Sequence, residues 1–360
     1  MRGQLVRLLS MLLAAALSGC AELPKTMYLD SGKHRPEQAA QVWPRAGSLP
    51  RFAYAGELLG EPNFRASPDV KESAGRQLLA WIVGLTHGNS APQRVLQRPQ
   101  GGAVDAAGRI YISDVSRQAV FVFDSQAGDL MIWEWADESK RFRSPIGVAV
   151  KSNGEVLVAD AELGRVVRLA TDGRPIGSIG DGLLVRPTGI ALDQQQGLLY
   201  VADTRANEIK IFDSEGVMRR RFGAGGDGAG QLNSPTYLAV AKDRVYVTDT
   251  LNARVQVFDT DGQFVSTFGK RGLYLGDFTL PKGIAVSSSD GLVYVVESHY
   301  DYLLVFDLQG NFLMPIGGSG RETGQFVLPA GTWVDQQGRV YVADMLNGRV
   351  SIFQFLGADS

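Results

Sequence analysis

The chain has 360 residues, of which 44% are hydrophobic and 21% charged, with 43 glycines, 15 prolines and a single cysteine. This composition is typical of a folded globular protein with many turns and excludes an intrinsically disordered chain. The net charge of −2 provides no general basic field, which argues against binding to nucleic acid.

The first twenty residues have the pattern of an export signal. Arg2 and Arg7 precede an apolar run from Leu8 to Leu17, which is short for a membrane span. The lone cysteine, Cys20, closes the motif LSGC, which resembles the lipobox of bacterial lipoproteins. The resemblance implies that a signal peptide of residues 1–19 is removed and that Cys20 carries lipid, which anchors the protein to a membrane. A plain secretory signal with an incidental cysteine is the alternative.

The same resemblance implies a location for the mature protein. Ala21 follows the cysteine, whereas an aspartate there would imply retention in the inner membrane. We therefore expect the outer membrane of a Gram-negative bacterium, facing the periplasm or the cell surface. Residues 20–50 contain four prolines among polar residues without a clear apolar period, and they are predicted to form a flexible tether behind the lipidated cysteine.

An isolated strand and an insertion precede the rest of the chain. Residues 51–60, RFAYAGELLG, have the pattern of a strand ending at a glycine. In the insertion, residues 61–98, apolar residues recur every four positions after Ser67-Pro68, which predicts a helix near 68–83. A strand over LLAWIV, residues 78–83, is the competing interpretation.

Six repeats fill residues 99–354. Each opens at a proline, at intervals of 42 to 48 residues, starting at about 99, 145, 187, 235, 281 and 329. Runs such as GIALD, LYVAD and EIKIFD alternate between apolar and polar residues and are separated by turn residues, which indicates four short antiparallel strands per repeat. Repeats of this length and pattern predict an all-β, six-bladed β-propeller.

The two ends of the chain are predicted to close the ring. The sixth repeat has three strands and is followed only by a short tail, residues 355–360. The strand within 51–59 has the pattern of the missing fourth strand, so we expect it to pair with residues 349–354.

The motif PTGIALDQQQGLLYVADTRANEIKIFD, residues 187–213, resembles the NHL repeat. The resemblance covers about residues 99–354 and implies a six-bladed NHL propeller, and the whole arrangement is similar to bacterial lipid-anchored NHL-repeat lipoproteins. Similar propellers include metal-dependent lyases that act on peptidyl-α-hydroxyglycine, and lactonase-like hydrolases share the general architecture. Such propellers serve many tasks, so the resemblance alone assigns no activity.

An acid ends the second strand of every repeat. Because a catalytic site breaks the symmetry of a repeat, we interpret these acids as structural groups that hold the following turn. A metal ring or a paired acid/base site is the alternative interpretation. The six residues are Asp114, Asp160, Asp203, Asp249, Glu297 and Asp344.

Departures from the repeat mark a candidate binding face. The fifth repeat carries an aromatic and charged turn in place of the usual one, and the connection that enters it is basic and aromatic. Strand alternation places both segments on one face, and two aromatic residues that follow the prolines of other repeats are expected near it. Ordinary loop variation is the competing interpretation. The candidate residues are Tyr237, Lys270, Arg271, Tyr274, His299, Tyr300, Asp301, Tyr302 and Trp333.

These features favour a non-catalytic, monomeric binding scaffold of the cell envelope whose partner is a protein, a peptide or a glycan. The alternative is a metal-dependent lyase or lactonase-like hydrolase that uses the central channel with a divalent cation, Ca²⁺ or Zn²⁺. The histidines, at 34, 87 and 299, do not occupy matching positions, which argues against a zinc site of three histidines. No nucleophile elbow or phosphate-binding glycine motif is present in the sequence.

Overall fold

The computed structural model describes residues 25–29, 41–44, 49–66 and 93–357. The predicted signal peptide, Cys20, the helix predicted near 68–83 and residues 358–360 lie outside the described residues. Among the residues described, no helix is long and apolar enough to cross a membrane. Helical structure in these segments consists of single 3₁₀ turns at Glu61–Asn63, Thr250–Asn252 and Met345–Asn347.

Five blades are complete four-stranded antiparallel sheets whose strands follow one another in sequence. The first blade contains β5 (Pro99–Val104), β6 (Ile110–Asp114), β7 (Ala119–Asp124) and β8 (Asp129–Trp133). The second contains β9 (Pro145–Val150), β10 (Val156–Asp160), β11 (Arg165–Leu169) and β12 (Pro175–Ile179). The third contains β13 (Pro187–Asp193), β14 (Leu198–Asp203), β15 (Glu208–Phe212) and β16 (Met218–Phe222).

The remaining blades continue the ring. The fourth contains β17 (Pro235–Ala241), β18 (Arg244–Asp249), β19 (Arg254–Asp259) and β20 (Phe264–Phe268). The fifth contains β21 (Pro281–Ser287), β22 (Leu292–Glu297), β23 (Tyr302–Asp307) and β24 (Phe312–Gly317). The sixth contains β25 (Thr332–Val334), β26 (Arg339–Asp344), β27 (Arg349–Phe355) and, from the start of the chain, β3 (Phe52–Leu58) and β2 (Val42–Trp43).

The sixth blade joins the two ends of the described chain. β3 lies antiparallel to β27, with Val350 opposite Leu58 and Phe355 opposite Phe52. This is the pairing that the incomplete sixth repeat predicts. It confirms the six-bladed, all-β architecture, because each blade exposes apolar faces that only its neighbours can cover.

Two stretches of the predicted tether lie against the propeller. β1 (Lys25–Met27) pairs with β4 (Phe64–Ala66), and β2 pairs with the outer edge of β3. Trp43 is buried and packs edge-on against Phe353, with 5.2 Å between the ring centroids. A flexible tether is therefore the wrong description of these two stretches, because they cover strand edges that would otherwise be open.

The hydrophobic core lies between the blades. Each core cluster combines residues of neighbouring blades, as when Tyr294 of the fifth blade packs with Phe353 of the sixth. Tyrosines at one position of the second strand are fully buried in four blades and fill these interfaces. They are Tyr111, Tyr200, Tyr294 and Tyr341.

Glycine lets the innermost strands approach one another closely. In five blades it is the second residue after the opening proline, and a Cβ added there would collide with the backbone of the next blade. At Gly147 the added Cβ would lie 2.4 Å from the carbonyl oxygen of Thr188, and at Gly331 it would lie 2.2 Å from that of Gln100. The repeated glycine therefore sets the spacing of the strands around the axis.

We expect Gly147→Ala to destabilise the propeller by about 1–3 kcal/mol, because the backbone of the next blade at Thr188 and Ile190 has to shift away from the new methyl group. Gly225→Ala is the control, since its added Cβ would meet no atom closer than the Asn207 amide at 3.5 Å. That variant is expected to be neutral or up to about 1 kcal/mol more stable. Urea unfolding of both variants measures the difference, and equal stability would contradict close packing of the inner strands.

Candidate functional site

The loop face is the side of the ring that carries the turn after each second strand and the connections between blades. The six strand-end acids lie there, and each accepts backbone N–H groups from the connection that enters its own blade. Asp114 accepts from Gln97 at 2.6 Å and from Arg98 at 2.9 Å. Asp160, Asp203 and Glu297 accept two such N–H groups in the same way. Asp249 and Asp344 accept one each, and the next N–H of the connection donates to Asn207 or to Asp301 instead. The acids thus hold the repeated connections in place.

Arginine completes this arrangement in the fourth and sixth blades. Arg254 donates from Nε to Asp249 at 2.8 Å, and Arg349 donates from Nε to Asp344 at 2.8 Å. Both acids are fully buried. Among the described residues, no group of three or more His, Cys, Asp or Glu side chains is placed to hold a metal ion.

The structure places Tyr237 in the central channel and Trp333 beside it, in the core between the sixth and first blades, which corrects their predicted position on the loop face. Tyr237 stands where the other blades have glycine, and its hydroxyl crosses the ring to donate to the carbonyl oxygen of Gln100 at 2.9 Å. Burial raises the pKa of this hydroxyl. Trp333 stacks on Tyr341 at 5.4 Å. Both residues belong to innermost strands, whose free edge faces the axis rather than the loops.

The channel is a cavity of about 300 Å³ into which the innermost strands expose both backbone polar groups and side chains. Its wall consists of the alanine, valine, leucine and isoleucine side chains of the innermost strands, together with Tyr237 and Trp333. The residues that line it supply neither carboxylate nor imidazole groups. The lining thus lacks the carboxylate and imidazole side chains that divalent cations usually bind in proteins.

Three successive connections between blades share one shape. Residues 223–234, 269–280 and 317–328 are equally long, and each contains an isolated parallel bridge to a buried apolar residue, which is Leu232, Phe278 and Phe326 in turn. Their tips differ in sequence: DGA at 227–229, LYL at 273–275 and RET at 321–323. The three connections share one backbone shape, and the tip of the second, at 273–275, is wholly apolar.

We call Leu273, Tyr274 and Leu275 the LYL tip. Their relative exposures are 80%, 84% and 58%, among the highest of any large hydrophobic residues in the part of the chain that the structure describes. The backbone beneath them is fixed, because Asp277 accepts from the Tyr274 N–H at 3.2 Å and donates its own N–H to the Tyr274 carbonyl at 2.9 Å. The tip is a rigid turn that presents apolar side chains to solvent.

The basic residues before the tip are also exposed. Lys270 and Arg271 lie at the start of the connection, and the Arg271 guanidinium donates to the Leu251 carbonyl oxygen at 2.7 Å. Leu251, half exposed in the 3₁₀ turn of the fourth blade, is thereby tied to the same surface. The connection carries apolar and cationic groups side by side.

The four candidate residues in the turn of the fifth blade fall into an exposed pair and a pair that is bonded or half-buried. His299 and Tyr300 are exposed and meet edge to face at 4.6 Å. Asp301 has a structural role, since its carboxylate accepts from the Leu328 N–H at 2.7 Å and from the Ser319 hydroxyl at 2.6 Å. Tyr302 is half-buried at the start of β23. The exposed part of the predicted site is therefore smaller than the sequence indicated.

The leucines of the LYL tip and Leu251 were missed by sequence reasoning. Aromatic and charged residues are the usual signs of a binding surface in a sequence, whereas a leucine between repeats has the appearance of a core residue. Alignment of the three connections on their shared glycines and buried apolar residue would have placed Leu273 and Leu275 at an exposed tip.

Comparison with known families agrees with this architecture. The NHL repeat model matches residues 184–212, and a family described as a 6-bladed beta-propeller matches residues 231–302. Together with the six blades of the structure, these matches define the class: a six-bladed β-propeller. More specifically, the segment 184–212 of this propeller matches an NHL repeat.

Relatives with known names share only part of this chain. E3 ubiquitin-protein ligase NHLRC1 of Rattus norvegicus is 41% identical over 64 residues, which is 18% of this chain and 16% of that protein. NHL-repeat-containing protein 4 of Homo sapiens is 38% identical over 71 residues, or 20% of this chain and 56% of that one. The chain thus spans a small part of the ligase and about half of the second relative.

The solved structures share the fold at low identity. Virginiamycin B lyase of Staphylococcus aureus has a TM-score of 0.52 at 14% identity, over 72% of this chain and 96% of the lyase. A protein of unknown function from Bacteroides thetaiotaomicron has a TM-score of 0.58 at 17% identity, over 74% of this chain and 71% of that one. At such identities the likeness concerns the propeller and not its chemistry.

Proposed function

We propose that this protein is a lipid-anchored NHL propeller of the cell envelope that acts as a non-catalytic binding scaffold. Its loop face binds a protein, peptide or glycan partner. The observation that carries the proposal is the LYL tip, which exposes three large apolar side chains on a fixed turn.

Energetics favour a buried state for this tip. Burying a leucine or an aromatic side chain contributes about 1.5–3 kcal/mol, so a partner that covers the tip gains several times that amount. A turn already held by Asp277 loses little conformational entropy on binding. Tyr274 and Arg271 are of the residue types that are enriched in protein-binding hot spots, which supports a polypeptide partner.

The lipid anchor of the proposal rests on the sequence. The lipobox-like motif that ends at Cys20 supplies a membrane attachment, and the outer membrane of a Gram-negative bacterium is the expected location. Residues 21–24 would then join Cys20 to the strand Lys25–Met27, where the described part of the chain begins.

A metal-dependent lyase or hydrolase in the channel has weaker support. The fold is shared with virginiamycin B lyase, but the residues that line the channel of this chain supply no carboxylate or imidazole group, and the six strand-end acids accept from backbone N–H groups. A scaffold uses the loop face, whereas an enzyme of this type would need polar ligands at the channel.

The proposal predicts that the LYL tip carries binding. In crosslinked pull-downs from the envelope fraction, the double variant Leu273→Ser/Tyr274→Ala is expected to weaken recovery of the specific partner by about tenfold or more, as loss of a hot spot does. Val217→Ser is the control, because Val217 is 52% exposed in the turn before β16, on the opposite face. Equal recovery with both variants would refute binding through the loop face.

A further inference from the structure

A pair of hydroxyl groups recurs where the innermost strand begins in the third and fourth blades. Thr188 Oγ1 lies 2.6 Å from Thr204 Oγ1, and Thr236 Oγ1 lies 2.6 Å from Thr250 Oγ1. The second hydroxyl of each pair also contacts the carbonyl oxygen of the next blade's opening proline, at 2.6 and 2.8 Å. In both blades these polar groups satisfy one another and link neighbouring blades.

The fifth blade has Lys282 and Ser298 at these positions. Lys282 follows the opening proline as Thr188 does, and Ser298 follows the strand-end acid as Thr204 does. The backbone confirms the correspondence, since the Ser298 N–H donates at 3.1 Å to the residue before the proline, as the Thr204 N–H does at 3.1 Å. A cation thus replaces a hydroxyl in an otherwise repeated arrangement.

Neither polar group of this pair is satisfied within the described chain. The Ser298 hydroxyl is fully buried and has no hydrogen-bond partner there. Lys282 is half-buried, its side chain forms no hydrogen bond or ion pair with a described residue, and burial lowers the pKa of its ammonium group. A buried donor without an acceptor costs free energy, and the Ser298 hydroxyl next to the unpaired, half-buried Lys282 indicates an acceptor from outside the described residues.

The neighbouring residues place Lys282 at the loop-side entrance of the central channel. Tyr237 crosses the channel one residue further along the innermost strands, so the residues directly after the opening prolines form a ring on the loop side of that barrier. Lys282 is the one charged member of this ring. Its members are Gln100, Ile146, Thr188, Thr236, Lys282 and Ala330.

The sixth blade also departs from the repeat beside this pair. Its innermost strand begins at Thr332, three residues after Pro329, whereas the other blades begin theirs at the proline. The Gly283 N–H instead donates to the Ala330 carbonyl oxygen at 2.9 Å. Ser298 accordingly makes no bond to the next proline of the kind that Thr204 and Thr250 make.

We propose that Lys282 and Ser298 bind a carboxylate group at the loop-side entrance of the channel. The ammonium supplies charge and N–H donors, the hydroxyl supplies a second donor, and a single negative charge matches the single lysine. The carboxylate belongs either to a small free acid or to the C-terminus of a polypeptide. The site does not involve the LYL tip, so a test of carboxylate binding and a test of the proposed scaffold function can give different answers.

Lysine reactivity tests the site in the whole protein. At constant pH and ionic strength, the rate at which an N-hydroxysuccinimide ester labels Lys282 is followed by mass spectrometry in chloride, in acetate and with a short N-acetylated peptide that ends in a free carboxylate. We expect saturating carboxylate to slow labelling of Lys282 by about tenfold, which corresponds to about 1.4 kcal/mol, and to leave exposed Lys270 unchanged.

The two sources of carboxylate give different results. Equal protection by acetate and peptide indicates a small acid, whereas protection by peptide at far lower concentration, and none by its C-terminal amide, indicates a polypeptide terminus. Ser298→Ala is expected to lose most of the protection and Ser298→Thr, the residue type of the third and fourth blades, to keep it. Labelling of Lys282 at one rate in chloride and both carboxylates, or no labelling at all, would overturn the proposal.

Discussion

Arg349→Met is expected to destabilise the protein by about 3–5 kcal/mol, because it removes one partner of a buried ion pair. Arg349 is 7% exposed, and its Nη1 donates to Glu57 on the closing strand at 2.8 Å in addition to its bond with Asp344. Methionine retains the apolar part of the side chain but leaves the buried Asp344 carboxylate without its counter-charge. Chemical denaturation measures the loss.

The fourth blade offers a matched control for this substitution. Arg254 makes the same 2.8 Å bond to Asp249 but has no contact with the closing strand, and Gln256 also donates to that carboxylate at 3.1 Å. Arg254→Met is therefore expected to destabilise the protein less than Arg349→Met does. The expected loss is about 1.5–3 kcal/mol, for the missing hydrogen bond to a charged group. Equal losses in the two blades would show that the Arg349–Glu57 contact contributes nothing to closure of the ring.

Phe353→Ala is expected to cost about 3–5 kcal/mol, the usual range when a buried phenylalanine is truncated. Its fully buried ring contacts Trp43 at 5.2 Å, Tyr54 at 5.7 Å and Phe326 at 5.9 Å. The first two belong to the start of the chain, so their packing depends on a ring at the end of it. Thermal unfolding and limited proteolysis measure the effect, with faster cleavage expected between 41 and 54.

Phe264→Ala provides the comparison for Phe353→Ala. Phe264 is 37% exposed on the outer strand of the fourth blade and meets Phe258 at 6.2 Å. Its truncation is expected to cost less than about 1 kcal/mol, as for other substitutions at the surface. If Phe353→Ala were as mild, or left cleavage between 41 and 54 unchanged, the N-terminal stretch would not be held by the sixth blade.

The repeated part of the fold could be predicted from the sequence because every blade needs the same residues. Alternation in LYVAD and its copies fixes which side chains are buried, and the strand-end acid recurs because each entering connection needs an acceptor for its N–H groups. Closure of the ring also followed from the sequence, since a repeat that lacks its last strand requires one from elsewhere.

Residues that face the axis were harder to place from sequence. Tyr237 and Trp333 replace glycine and alanine of the repeat, and the pattern indicates a departure without its direction. Only the close approach of the innermost strands, seen at Gly147 and Gly331, shows that a large side chain at the glycine position, as in Tyr237, has to enter the channel.

The docked stretches of the predicted tether and the LYL tip were missed for a common reason. Lys25–Met27 and Val42–Trp43 are too short to show a strand period, and the tip residues have the same apolar character as the core. Both depend on contacts, or on the lack of contacts, between segments distant in sequence.

Site-specific photocrosslinking in intact cells tests the scaffold function most directly. A photoreactive amino acid at position 274, in the LYL tip, is expected to give one discrete adduct with the partner, and the same group at position 217, on the opposite face, is expected to give none. Identical adduct patterns from both positions, or no adduct from position 274, would contradict binding through the loop face.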